Sequence, residues 1–151
     1  MEARVNILKH HWRQAGINLL LLACLLLPSP LQSADLHKKQ GRFSHHVSLL
    51  IQHATRTGYD VSFGEAYRSP EQAKFQVKIN AEKGIGIAAS LHTQRLAIDL
   101  NLFRNGIFLT TTEDYRELGE WWEKLCDECR WGGRFKNADA NHFSFEHNGI
   151  Q

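Results

Sequence analysis

The sequence predicts an α+β domain with a small antiparallel sheet and flanking helices, and three observations carry that reading. Residues 96–102 and 142–147 alternate apolar and polar side chains at period two, as strands do. Residues 41–57 and the stretch around Leu118 to Leu125 space their apolar side chains as amphipathic helices do. The elements follow in the order helix, strand, helix, strand hairpin, helix, strand. A chain of 151 residues, 42% hydrophobic and 23% charged, suffices for one domain with a core and is too short for two ordinary ones.

Residues 1–34 read as an export segment apart from the fold. Lys9, His10, His11 and Arg13 form a basic head, residues 15–27 an apolar core, and PSPLQSA follows, with cleavage expected near Ser33 or Ala34. The core is short for a transmembrane helix; left uncleaved, the segment is a signal anchor and the only membrane attachment. Cys24 resembles a lipoprotein cysteine, but the apolar run continues past it, which is the wrong order. Residues 35–151 are the working domain, expected outside the cytoplasm in the periplasm or cell envelope. Removing the segment leaves Cys126 and Cys129 in CDEC, too few for a four-thiolate zinc site. They are read as a local disulfide staple or as two free thiols at a helix end. A net charge of +2 with no Lys/Arg run gives no case for nucleic acid.

Along the domain, Phe43, Val47, Leu50, Ile51 and Ala54 make the apolar stripe of the first helix, with His45, His46 and His53 on its solvated face. Gly58 ends it, and residues 59–67 read as a strand with Val61 and Phe63 turned inward. Ser69 as N-cap, Pro70 in the first turn and Gln72 closing a capping box start a helix that runs to about Glu82. Residues 83–89 form a Gly-containing loop leading to Ser90 and His92. In the next strand Leu96, Ile98, Leu100 and Leu102 face one side; Ala97, Asp99 and Asn101 face the other. Arg104, Asn105 and Gly106 signal a hairpin returning through residues 107–109. Thr111 or Thr112 caps the last helix, whose Leu118, Trp121, Trp122 and Leu125 form a core stripe. Trp131, Gly132 and Gly133 then turn the chain into the final strand.

The chemistry gathers on a few of these positions. An imidazole (His92) and a carboxylate (Asp99) supply two of the three protein ligands of a catalytic zinc site, which keeps a fourth position for water. In the last strand Phe143 and Phe145 point one way and His142, Ser144 and Glu146 the other, so alternation selects His142 over His147 as the third ligand. Hydrolysis also needs a proton-transfer group, for which Asp139 and Glu146 compete. Arg68, at a strand-to-helix junction, suits a substrate carboxylate or a developing oxyanion. Each residue has a plainer role open to it: Asp99 pairing with Arg95, Asp139 and Asn141 shaping a turn, Ser90 capping a loop, Arg68 making a surface ion pair.

Ser90-x-His92, then Ala97-x-Asp99, then Asp139-x-x-His142-Phe143 near the C-terminus, resembles the D-Ala-D-Ala carboxypeptidase family of zinc peptidases, which includes vancomycin-resistance dipeptidases and phage L-alanyl-D-glutamate endopeptidases. Tyr67-Arg68-Ser69-x-x-Gln72 is similar to that family's YRS segment. The resemblance covers about residues 42–147. It implies zinc held by His92, Asp99 and His142, Asp139 as catalytic acid/base, and Arg68 as electrophilic helper. It also puts Ser90 and Gln72 beside the substrate, which it implies is a peptidoglycan stem peptide met by a monomer. The family usually has glycine where Arg95 stands and often proline where Asn141 stands. Aspartate at 139, where other branches tend to carry glutamate, leans toward the phage endopeptidase branch. The resemblance thus implies L-alanyl-D-glutamate endopeptidase or D-alanyl-D-alanine carboxypeptidase activity. The rival reading is a catalytically silent envelope protein that binds wall peptides in the same groove. A third reading makes the CDEC pair central, as a redox or metal sensor.

Overall fold

The computed structural model describes residues 30–82 and 90–151. The basic head and apolar core expected for export, Cys24 and the Gly-containing loop at 83–89 lie outside them. The chain divides into two compact units, residues up to Lys38 and residues from Lys39 to Gln151. Among the described residues no helix is long and apolar enough to cross a membrane.

Helix α1 spans Pro30–Arg56, starting well before the expected Gly41 and running through the positions expected for cleavage. The reason lies in composition: after Pro30, which suits a first helical turn, residues 31–40 contain neither proline nor glycine to stop a helix. Phe43, Val47, Leu50 and Ala54 are buried as the stripe requires. His45 is exposed, but His46 and His53 are half-buried. The His46 ring meets Phe145 edge-on at 5.1 Å, and His53 stacks flat on Trp121 at 4.1 Å. They cover apolar rings rather than only facing water.

The sheet is antiparallel, in the order β1 (Asp60–Phe63), β2 (Ala97–Arg104), β5 (His142–Phe145), β4 (Cys129–Trp131), with β3 (Ile107–Phe108) returning beside β2. Strand β1 is shorter than expected, and Phe63 is 67% exposed instead of inward. Alternation fixes the side on which a residue leaves the sheet, not whether a helix covers it, and β1 is an edge strand. Helix α2 (Pro70–Glu82) carries the expected capping box: Gln72 N–H donates to Ser69 Oγ at 3.1 Å, and Ser69 N–H to Gln72 Oε1 at 2.8 Å.

Helix α3 (Thr112–Leu125) is capped by Thr111 in a reciprocal pair with Asp114. Its buried stripe is Tyr115, Leu118, Gly119 and Trp122, while Trp121 and Leu125 are only half-buried. Trp122 packs on Phe143 and Phe145, and Phe43 closes the same cluster from α1. The core is therefore the apolar face of β2 and β5 under α1 and α3. Cys126 and Cys129 form a disulfide that closes the turn from α3 into β4.

Helix α3 sits so close to β4 that a side chain at Gly119 would meet the Trp131 ring at 2.0 Å. Gly119→Ala should therefore cost about 3 kcal/mol through overpacking, read as a lowered midpoint in urea unfolding. An unchanged midpoint would mean that α3 can move off Trp131.

Candidate metal centre and active site

Strands β2 and β5 pair with Asp99 directly opposite His142. Facing residues on antiparallel strands bring their side chains together on one face, and the opposite face carries Ile98 and Phe143 into the core. His92 arrives from a short 3-10 turn, Leu91–Gln94, that folds back over β2, with Leu96 N–H donating to Leu91 O at 3.0 Å. Three atoms converge: His142 Nδ1 is 3.1 Å from Asp99 Oδ1, His92 Nε2 is 3.3 Å from the same oxygen, and the two ring nitrogens are 3.3 Å apart.

These donors fit a metal ion. Ligand atoms held tetrahedrally at about 2.0 Å from an ion stand about 3.3 Å from one another, which is the spacing seen. His92, Asp99 and His142 are the one such group among the described residues. Both imidazoles are buried, and their outer nitrogens, His92 Nδ1 and His142 Nε2, have no hydrogen-bond partner among the described residues. Burial pushes the Asp99 carboxyl upward, but hydrogen bonds from His142 and His92 and the charge on either ring outweigh it and hold its pKa at about 2. Asp99 is thus ionised wherever a hard or borderline cation would need it.

Arg68 lies between β1 and α2, where its N–H donates to His92 O at 3.3 Å. Its Nε meets both Glu65 oxygens at 3.0 and 3.1 Å, and Nη1 donates to Ser90 Oγ at 3.2 Å. The hydrogen bonds to Glu65 raise the Arg68 pKa despite partial burial, and the charges of Asp99 and Asp139 act in the same direction. Glu65 was not singled out from the sequence; a carboxylate three residues before a candidate arginine was the available signal. Asp139 is exposed, in the loop before β5, and its carbonyl accepts the His142 N–H at 3.2 Å. Gly132 makes that closeness feasible, because a side chain there would meet Asp139 O at 2.3 Å and His142 Cβ at 2.8 Å.

Three of these residues have specific partners. Gln72 spends its carboxamide oxygen on the expected α2 cap. Ser90 binds Arg68, which makes it a support for that guanidinium. Glu146 shares the side of His142 by count but is ion-paired with Arg130 farther along the sheet, whereas Asp139, in the loop before β5, has no ion-pair partner among the described residues. Nor does Arg95 pair with Asp99. It sits at φ +54°, a left-handed position where glycine is favoured, and stacks on Tyr67 at 4.1 Å.

Residues 83–145 match the family model described as D-alanyl-D-alanine carboxypeptidase. Over that span, less than half of the chain, the sequence is similar to that peptidase family. The matched span contains His92, Asp99, Asp139 and His142 and leaves out Arg68 and α1. Among solved structures, that of the Serratia marcescens L-Ala D-Glu endopeptidase ChiX is similar at 21% identity, with a TM-score of 0.51 over 64% of this chain and 75% of that one. At that identity the likeness is one of fold. Comparison with curated proteins finds no match.

Removing one donor should abolish stable metal binding and spare the sheet. His142→Ala and Asp99→Asn are expected to lose metal affinity by on the order of 100-fold or more, seen as metal content after gel filtration with an unchanged circular dichroism spectrum. Full metal content in both variants would rule the triad out. In the metal-free protein the depressed Asp99 pKa gives a second test. Its stabilising contribution is complete above its unfolded value of 3.8 and is lost as pH falls toward 2. The stability gap between wild type and Asp99→Asn, followed by urea unfolding, should narrow over that window.

Proposed function

We propose that the chain is an exported zinc peptidase that hydrolyses peptidoglycan stem peptides, as an L-alanyl-D-glutamate endopeptidase or a D-alanyl-D-alanine carboxypeptidase. The observation that carries the reading is the convergence of His92 Nε2, Asp99 Oδ1 and His142 Nδ1 at 3.1–3.3 Å, with the charges of Asp99 and Asp139 both acting on the anchored Arg68 guanidinium. The donor set of two imidazoles and one carboxylate favours zinc with an open position. The match to a peptidase-family model and a fold shared with an L-Ala D-Glu endopeptidase support the reaction class. The basic head and apolar core of residues 1–34, together with the Cys126–Cys129 disulfide, support an oxidising location outside the cytoplasm.

His92, Asp99 and His142 would hold the ion. Bound there, it supplies Lewis acidity, which makes water a usable nucleophile near neutral pH and polarises the scissile carbonyl. The residues of the chain supply the rest. Asp139, exposed and next to His142, accepts the proton of the attacking water and passes it to the amine that leaves. Arg68, its direction fixed by Glu65 and Ser90, faces the oxygen on which negative charge grows. Ionised Asp99 keeps the site able to accept a dication.

Asp139→Asn is the deciding substitution. It should lower kcat by about 10²–10⁴-fold on purified stem peptides while metal content stays at the wild-type level, whereas Glu146→Gln stays close to wild type. Mass spectrometry of digested whole peptidoglycan then identifies the bond: fragments ending at L-alanine indicate the endopeptidase, and loss of terminal D-alanine the carboxypeptidase. Wild-type turnover by Asp139→Asn, or metal binding without any product from the native chain, would sink the hydrolytic assignment.

A further inference from the structure

Strand β2 carries the metal donors toward one end and the β3 hairpin at the other. Leu100 and Leu102 are fully buried, so Asp99, Asn101 and Phe103 leave the strand on the opposite face, that of the donors. Phe108 stands opposite Phe103 and shares that face, with the two ring centres 5.2 Å apart. Phe103 is half-buried, and Phe108 is 50% exposed. Four residues at about 3.3 Å each put Phe103 about 13 Å along the strand from Asp99. Between the two, Asn101 Oδ1 accepts from Asn141 Nδ2 at 3.5 Å, and Ser62 stands opposite Asn101 on β1. Beside Asp99 the chain after β1 carries Gly64, where a side chain would meet Asp99 Cβ at 2.9 Å. One face of the sheet therefore runs from the donors, past neutral polar groups, to a pair of phenyl rings. The roles assigned above use only its metal end.

We propose that the Phe103–Phe108 pair is a glycan subsite, an apolar platform for an amino-sugar ring of the wall polymer, and that the chain cuts stems still attached to their glycan in preference to free peptides. The inference rests on the endopeptidase form of the proposed function. In that form a single alanine separates the cut bond from the sugar that carries the stem, so the glycan begins within the span between Asp99 and Phe103. The residues beside the cut offer the rings little, since alanine brings a methyl group and glutamate a charge. A pyranose ring brings a flat face of C–H groups that covers a phenyl surface. Its hydroxyl and acetamide groups find partners of their own kind in Ser62, Asn101 and Asn141, which donate and accept without charge. Asp60, opposite Phe103 on β1, adds a carboxylate able to accept from a sugar hydroxyl. Contact this far from the reacting carbonyl supplies binding energy for orienting the stem over the metal donors.

The test uses the full-length chain loaded with zinc and one stem peptide in two forms, free and attached to its wall disaccharide. An oligosaccharide of N-acetylglucosamine, which has no peptide to cut, is titrated in parallel by calorimetry. The attached stem should be cut with kcat/KM about tenfold higher than the free one. Phe108→Ser, a change at an exposed position, should bring that ratio close to one and weaken the oligosaccharide about tenfold, a loss of about 1.4 kcal/mol. Ile107→Ser is the control on the same hairpin: Ile107 is 68% exposed but pairs with Arg104 on the other face, so neither readout should move. Equal kcat/KM for the two stems overturns the subsite. So does an oligosaccharide that the native chain does not bind, or one that both variants weaken alike. If neither stem is cut, the hydrolytic reading falls, and the titration still decides the subsite by itself.

Discussion

Everything at the candidate centre depends on one register: Asp99 on β2 opposite His142 on β5. Side chains alternate along a strand, so a slip of one residue would carry His142 to the core face and Phe143 to the cleft. Two flanking hydrogen bonds continue the pairing beyond the strand, Leu100 N–H to Asn141 O and Phe145 N–H to Leu96 O, both at 2.9 Å. The apolar residues enforce it from the other side. Phe143 and Phe145 fit beneath Trp122 and Phe43, and exchanging either for a histidine would bury a polar ring without a partner. The core thus specifies the site: packing on one face fixes which donors meet on the other.

That arrangement gathers two imidazoles, both nearly out of water, around one carboxylate. Burial alone would favour a neutral Asp99, yet the two histidines hold it ionised. The cluster is therefore better suited to a cation than to an apolar filling, and one side of it stays open to solvent through the partly exposed Asp99. Around it the other charges are sorted by their partners. Glu65 holds Arg68, Arg130 holds Glu146, and Asp114 is held by the Thr111 cap. Among the described residues Asp139 has no such partner.

Much of this was legible in the chain. The alternation of residues 96–102 placed Asp99 on the face away from the leucines, and the two phenylalanines placed His142 on the face away from the core. The Ser69–Gln72 capping box, the hairpin at Asn105 and Gly106, and the Thr111 cap followed from local chemistry within three residues. Less legible was anything that turned on which carboxylate meets which cation. Glu146 and Asp139 look alike in sequence, and only the position of Arg130 on the neighbouring strand separates them. Phe63 and the half-buried His46 and His53 likewise depended on which parts of the sheet and helices are covered.

By itself, then, the sequence determined the fold class, the period of each main element and the three candidate metal donors, because periodicity and capping act between near neighbours. It also determined that a CxxC pair was available to close the turn after α3. Tertiary structure alone decided that Ser90 supports Arg68, that Arg130 takes Glu146 and that Asp139 keeps no ion-pair partner among the described residues. Those outcomes depend on residues far apart in the chain competing for the same hydrogen bonds and charges, and that competition is settled only once the strands have paired.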